Sequence, residues 1–249
     1  KAHQESNQNL ERFSIYLENL QTDNTKLVSF DIEKLKKDIE KGLYFDSSIP
    51  QGYGVGSSGA LVAAIYDKYT SEKITVLENL TRDKLLKLKA IFSIMESFFH
   101  GKSSGLDPLN SYLSLPILIN SKDHIEPAGI PSQLRDGKGA IFLLDSGKTG
   151  ETAPMVQLFM EKMKEEGFRK MVKNQFVKHT DACVSDFLQG NINSLFSNVK
   201  KLSKVVLDNF KPMIPNEFHT LWKKGIETNT YYLKLCGSGG GGYMLGFTE

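Results

Sequence analysis

The chain has 249 residues, enough to bury a sizeable core as two domains or as one large one. Its 31 Lys and Arg against 29 Asp and Glu leave a net charge of +2 with no long basic block, which argues against nucleic acid as a partner. Cys183 and Cys236 are too few for a disulfide framework, no apolar run reaches membrane-spanning length and the N-terminus is no signal peptide, so the expected setting is the cytoplasm, away from membranes.

In chain order, Leu10 to Leu20 reads as a helix. Asp31 to Lys41 reads as an amphipathic helix, with Ile32, Leu35 and Ile39 on one face and lysines opposite. Leu43 to Phe45 is expected to be extended, and a glycine-rich stretch with its following helix then runs to Tyr69. Ile74 to Leu77 is strand-like and ends at Glu78. Thr81 to Phe99 is a long helix by the spacing of Leu85, Leu88, Phe92, Met95 and Phe99, and Asp107 to Leu115 starts another. The polar stretch from Pro127 to Lys138 is the expected domain junction, followed by a buried strand, Ala140 to Leu144. Four helical stretches fill Glu151 to Asn229; within them Trp222, with Phe218 and Leu221, reads as core. Tyr231 to Leu235 and Tyr243 to Phe247 read as paired strands around a second glycine-rich loop. No internal repeat is evident.

The first glycine stretch, Pro50-Gln51-Gly52-Tyr53-Gly54-Val55-Gly56-Ser57-Ser58-Gly59-Ala60-Leu61, carries the most information. Alternating glycines followed by hydroxyls and an apolar helix aim unpaired N–H groups and the positive end of a helix dipole at one point, which suits phosphate. A glycine-rich turn that only caps the helix is the plain alternative. The G-x-x-x-x-G-K-[ST] loop is excluded, because Glu96 and Phe142 stand where its first glycine should precede Gly101-Lys102-Ser103 and Gly147-Lys148-Thr149. A dinucleotide fingerprint fits literally as Gly54-x-Gly56-x-x-Gly59, with Glu78 as the ribose acid, but Pro50 and Gln51 stand where a buried strand should run into the turn.

Pro50-x-x-x-Gly54-x-Gly56-Ser57-Ser58 resembles the ATP-binding loop of the GHMP kinases, the superfamily of galactokinase, homoserine kinase, mevalonate kinase and phosphomevalonate kinase. A second segment, Glu96-Ser97-Phe98-Phe99-His100-Gly101-Lys102-Ser103-Ser104-Gly105-Leu106-Asp107, is similar to the mevalonate kinase segment in which a glutamate lies eleven residues before the aspartate of H-G-x-x-S-G-x-D. A third, Lys234-Leu235-Cys236-Gly237-Ser238-Gly239-Gly240-Gly241-Gly242-Tyr243, is similar to the family's C-terminal glycine motif, with Cys236 and Ser238 in place of the usual Thr and Ala. The resemblance implies an α+β, two-domain fold: an N-terminal α/β nucleotide-binding domain over residues 1–136, lacking its first strands, and a C-terminal ferredoxin-like α+β domain over 137–249.

The resemblance also implies an activity, the ATP- and Mg²⁺-dependent phosphorylation of a hydroxyl on a small hydroxy acid, by a monomer or homodimer. Phosphoryl transfer needs phosphates held in place, Mg²⁺ between them and an oriented hydroxyl. Gly52, Gly54, Val55, Gly56, Ser57, Ser58, Gly59, Gly237, Ser238, Gly239 and Gly240 would hold the nucleotide, and Ser58 and Glu96 the metal. Asp107 would accept or orient the substrate proton. His100, Ser104, Gly105 and Thr152 would lie on the substrate side. The residues themselves leave other readings open. Glu96 also reads, as the lesser alternative, as a solvent-facing helical carboxylate. Asp107 before Pro108 reads as an N-cap, Thr152 as another, and Gly237 to Gly242 as a hairpin turn. A non-catalytic nucleotide binder, or an NAD-binding protein, is the alternative from another class. The chain opens without Met, lacks the family's first motif with its lysine, and stops just after the third motif, so a fragment with slow turnover is expected.

Overall fold

The structure, a computed structural model, describes residues 2–22, 27–76, 80–121, 124–129 and 139–249, the side chains of Thr22 and His100 excepted. It is a mixture of helices and small antiparallel sheets, an α+β chain, and it divides into two compact units: residues 1–50 with 56–128, and residues 51–55 with 129–249. The expected boundary at 136/137 lies outside the described residues. The short segment 51–55, inside the first glycine stretch, packs with the second unit, which the linear order of the chain does not suggest.

The first unit is mainly helical: α1 (Ala2–Thr22), α2 (Ile32–Glu40), α3 (Ser57–Tyr69), α4 (Arg82–His100) and α5 (Leu106–Leu113), followed by a hairpin of β1 (Ile117–Ser121) and β2 (His124–Pro127). The expected α/β character is therefore confined to that hairpin among the described residues. Asp31 caps α2 by accepting the Lys34 N–H at 3.0 Å, and Thr81 caps α4 in the same way. The spacing of Leu85, Leu88, Phe92 and Met95 does bury one face of α4, against Phe13 and Leu17 of α1 and Tyr66 of α3. Tyr66 anchors the centre: its ring meets Phe92 and Tyr112 edge-on, and its hydroxyl accepts the Ile74 N–H at 3.0 Å. Ile74 to Val76 forms no strand, a correction to the sequence reading; Leu77 and Glu78 lie outside the described residues. Helix α5 begins at Leu106 and ends at Leu113, with Gly105 at its N-cap position, so Asp107 is not the cap.

The second unit comprises β3 (Ala140–Asp145), α6 (Thr152–Lys162), α7 (Glu166–Met171), a π-helical turn (Val172–Val177), α8 (Lys178–Gln189), α9 (Ile192–Asn209), α10 (His219–Thr228), β4 (Tyr232–Leu235) and β5 (Tyr243–Thr248). Where four helices were expected, five form, with two short 3₁₀ turns before α10. The sheet order is β3-β5-β4, antiparallel throughout, with Leu144 opposite Met244 and Leu235 opposite Met244 on the other side. A ferredoxin-like pattern runs strand, helix, strand, strand, helix, strand; the described residues of this unit show one strand, a run of helices and a closing hairpin. Ala140 to Leu144 is not a buried strand. Among the described residues it lies at the edge of its sheet, and Phe142 and Leu144 turn to the core while Ile141 and Leu143 are exposed. Trp222 is buried with Leu202, Leu233 and Met244, its ring N–H donating to the Ser203 carbonyl at 3.1 Å, while Leu221 is exposed.

Candidate functional site

Helix α3 opens on Gly56, whose φ of 78° is left-handed and readily available only to glycine. Ala60 is the first residue to bond back, to the Gly56 carbonyl at 3.0 Å. The amides of the preceding turn have no carbonyl within the helix, and the positive end of the helix dipole lies with them. Ser57 and Ser58 supply hydroxyls at the same end.

Two close backbone approaches join α3 to α5 and α5 to α4. A β-carbon on Gly59 would lie 2.7 Å from the Asp107 carbonyl carbon and the Pro108 nitrogen, so Gly59 is where α3 meets α5. Gly105, with φ of 72°, is pressed against the α4 backbone at Lys89 and Ser93. Each glycine has a packing reason that does not require a ligand. The crossing of α3 and α5 sets Asp107 beside Gly56: a β-carbon on Gly56 would be 3.4 Å from Asp107 Cβ and 3.7 Å from its Oδ2. Asp107 itself is exposed, in the first turn of α5.

Glu96 faces the interior of the unit and is only 4% exposed, which excludes the solvent-facing reading. A buried carboxylate needs donors, and two hydroxyls supply them. Ser58 Oγ donates to Oε1 at 3.1 Å, and Ser103 Oγ donates to Oε2. Ser103 occupies a variable position of its motif, so the motif assigns it no role. The remaining sign was a polar residue four positions before Asp107 and seven after a buried acid, two turns along a helix that has by then ended.

The donor set fits a hard cation. It consists of one carboxylate and hydroxyl oxygens, and Mg²⁺ takes few protein ligands while keeping waters and phosphate oxygens. Among the described residues no three His, Cys, Asp or Glu side chains cluster to hold a metal, so a cation here would rely on Glu96, hydroxyls, phosphate and water.

The other sequence-predicted residues fall elsewhere. Ser104 is exposed and its hydroxyl accepts the Leu106 N–H at 3.4 Å, a local turn contact. The side chain of His100 lies outside what is described. Thr152 is exposed at the first residue of α6; Glu151 holds the N-cap position, so the simple cap role is excluded.

Gly52, Gly54 and Val55 belong to the second unit, with Gly237, Ser238, Gly239 and Gly240. There Gly237 to Gly242 joins β4 to β5, as the hairpin reading expects. Its amides are committed: Gly240 N–H donates to the Met213 carbonyl and Gly242 N–H to Lys148, each at 2.7 Å, and Tyr243 N–H to Tyr53 at 3.1 Å. Gly150 N–H donates to the Gly52 carbonyl at 2.7 Å. A β-carbon on Gly54 would touch the Cys236 carbonyl at 3.1 Å. Val55 and Ser238 are half-buried. Burial pushes the Cys183 thiol up to about 11 and raises that of Cys236, so neither supplies a thiolate nucleophile.

Residues 24–114 match the family model for the GHMP kinases N terminal domain. The match spans α2 to α5 and contains Gly56, Ser58, Glu96, Ser103 and Asp107. It supports the GHMP kinase superfamily and suggests a kinase phosphotransferase; such kinases use ATP, generally with Mg²⁺. No curated protein and no solved structure matches the chain. Among the described residues no helix is long and apolar enough to cross a membrane.

Proposed function

We propose that this chain is the core of an ATP-dependent small-molecule kinase of the GHMP type, closest in character to mevalonate kinase, acting on the hydroxyl of a small hydroxy acid in the cytoplasm. The observation that carries the reading is the buried Glu96 bonded to Ser58 at the opening of α3, with Asp107 set beside Gly56 at the same helix end. The amides of the first turn of α3 would hold the phosphates. Ser58 and Glu96 would hold Mg²⁺, which when bound neutralises charge on the transferring phosphoryl group. Asp107, exposed and adjacent to the phosphate-facing glycine, would orient the acceptor hydroxyl and take its proton. A cleft of about 740 Å³ beside α3, lined by Ile49, Ala60, Ala64, Thr75 and Tyr112, is of a size to take a nucleobase.

Thermal protection tests the nucleotide: Mg²⁺·ATP is expected to raise the melting temperature and NAD to leave it unchanged. ADP formation with mevalonate, phosphomevalonate and other small hydroxy acids then identifies the acceptor. Protection by ATP without turnover on any acceptor would make the chain a nucleotide-binding protein instead, and protection by NAD alone would remove the kinase reading.

A further inference from the structure

We infer that Ser103 is a positioning residue that makes Glu96 a one-oxygen ligand and thereby tunes the site to Mg²⁺ over Ca²⁺; this rests on the kinase reading of the same site. The Glu96 carboxylate has two oxygens, and the protein treats them differently. Oε1 takes a 3.1 Å hydrogen bond from Ser58, the residue placed beside it as a metal ligand. Oε2 takes the Ser103 hydroxyl. Ser103 is itself fixed from three sides. Its carbonyl accepts the Ser93 hydroxyl at 2.5 Å, its Oγ accepts the Gly105 N–H at 3.1 Å, and Gly105 is wedged against α4.

A serine has one O–H to give, and here it is given to Oε2. Freeing Oε2 to bind a cation would leave that hydroxyl without its charged acceptor in a site where Glu96 is 4% exposed, which is costly. Mg²⁺ loses nothing by this restraint, because it takes carboxylates through a single oxygen in a tight octahedron. Ca²⁺, larger and satisfied by six to eight oxygens, gains from a bidentate carboxylate. A partner outside the metal's own ligands that orients a ligand in this way is a recurring device of metal sites.

The test uses the whole chain and a non-hydrolysable ATP analogue. Its affinity is measured by calorimetry without metal, with Mg²⁺ and with Ca²⁺, and melting temperature is followed in parallel. Ser103→Ala is expected to weaken the Mg²⁺-dependent binding about 10–100-fold, to leave metal-free binding unchanged, and to leave Ca²⁺-dependent binding within roughly threefold. Ser103→Thr restores the hydroxyl and with it the preference for Mg²⁺. Equal loss with both cations, or no loss with either, overturns the inference. Should the alanine variant not fold, Ser103→Cys, similar in size but a weak donor, is read in the same way. Glu96→Gln separates the two levels of failure. If it leaves the Mg²⁺ dependence intact, the kinase reading of the site falls. If it removes that dependence while Ser103→Ala changes nothing, only the role of Ser103 falls.

Discussion

Gly54 to Gly59 and Gly237 to Gly242 look alike as sequences, yet their amides go to different places. At the start of α3 the chain turns through Gly56 and enters a helix whose first amides have no carbonyl of their own. In the β4–β5 hairpin the amides of Gly239, Gly240 and Gly242 are each bonded to a protein carbonyl. Both segments use left-handed glycines, Gly54 and Gly56 in the first and Gly237, Gly239, Gly240 and Gly242 in the second, and in the second backbone from elsewhere in its unit also fills the space a β-carbon would take at Gly239, Gly241 and Gly242. A run of glycines therefore does not identify a phosphate site.

Substitutions in and around the two segments should have very different effects. The largest effect is expected at Asp107. Asp107→Asn removes the anionic acceptor beside Gly56, and kcat should fall by about 10²–10⁴ in a product-formation assay. Because Gly105, not Asp107, holds the cap position, thermal stability should be retained. Near-normal kcat would sink the catalytic role.

Gly56→Val comes next. A β-branched residue at a φ of 78° costs on the order of 1–3 kcal/mol, and its side chain would press on Asp107, so ATP affinity measured by calorimetry should fall about 10–100-fold or more. Unchanged affinity would place the phosphates elsewhere.

Glu96→Gln tests the metal. It should weaken Mg²⁺·ATP by more than it weakens metal-free ATP, since the amide is a poorer hard-oxygen ligand than the carboxylate. Equal losses would remove Glu96 from the metal's surroundings.

Gly242→Ala probes the self-bonded segment. A β-carbon there would lie 2.5 Å from the Tyr53 carbonyl oxygen at a φ of 75°, so the expected result is a stability loss of about 1–3 kcal/mol by denaturant unfolding. Loss of ATP binding in a fully stable Gly242→Ala protein would erase the distinction between the two segments. Lys148→Ala should do least. Its exposed ion pair with Glu217 at 2.7 Å is screened by water, and the melting temperature should not move.

Much of the first unit was legible before the fold was known. The apolar spacing of α4, Asp31 before α2 and Thr81 before α4 are local signals, and each acts within its own helix. Glu96 and Asp107 were marked by their motif. The exposure of Ile141 and Leu143 was not legible, because successive side chains of a strand point to opposite faces and only the fold decides which face is covered. Nor was the cap of α5: Asp-Pro suggests a cap at Asp107, but the cap is Gly105, two residues earlier, where the chain is pressed against α4.

The helices of the first unit, the turn glycines and the identity of the acids are set locally, because these depend on residues within one or two turns of each other. Only the tertiary structure decided that Glu96 is buried between Ser58 and Ser103, that Asp107 lies beside Gly56, that residues 51–55 pack with the later unit, and that the second glycine run is bonded to its own protein. Buried polar and charged groups must be paired, and here the pairing groups come from parts of the chain far apart in sequence, as Ser58 and Glu96 do.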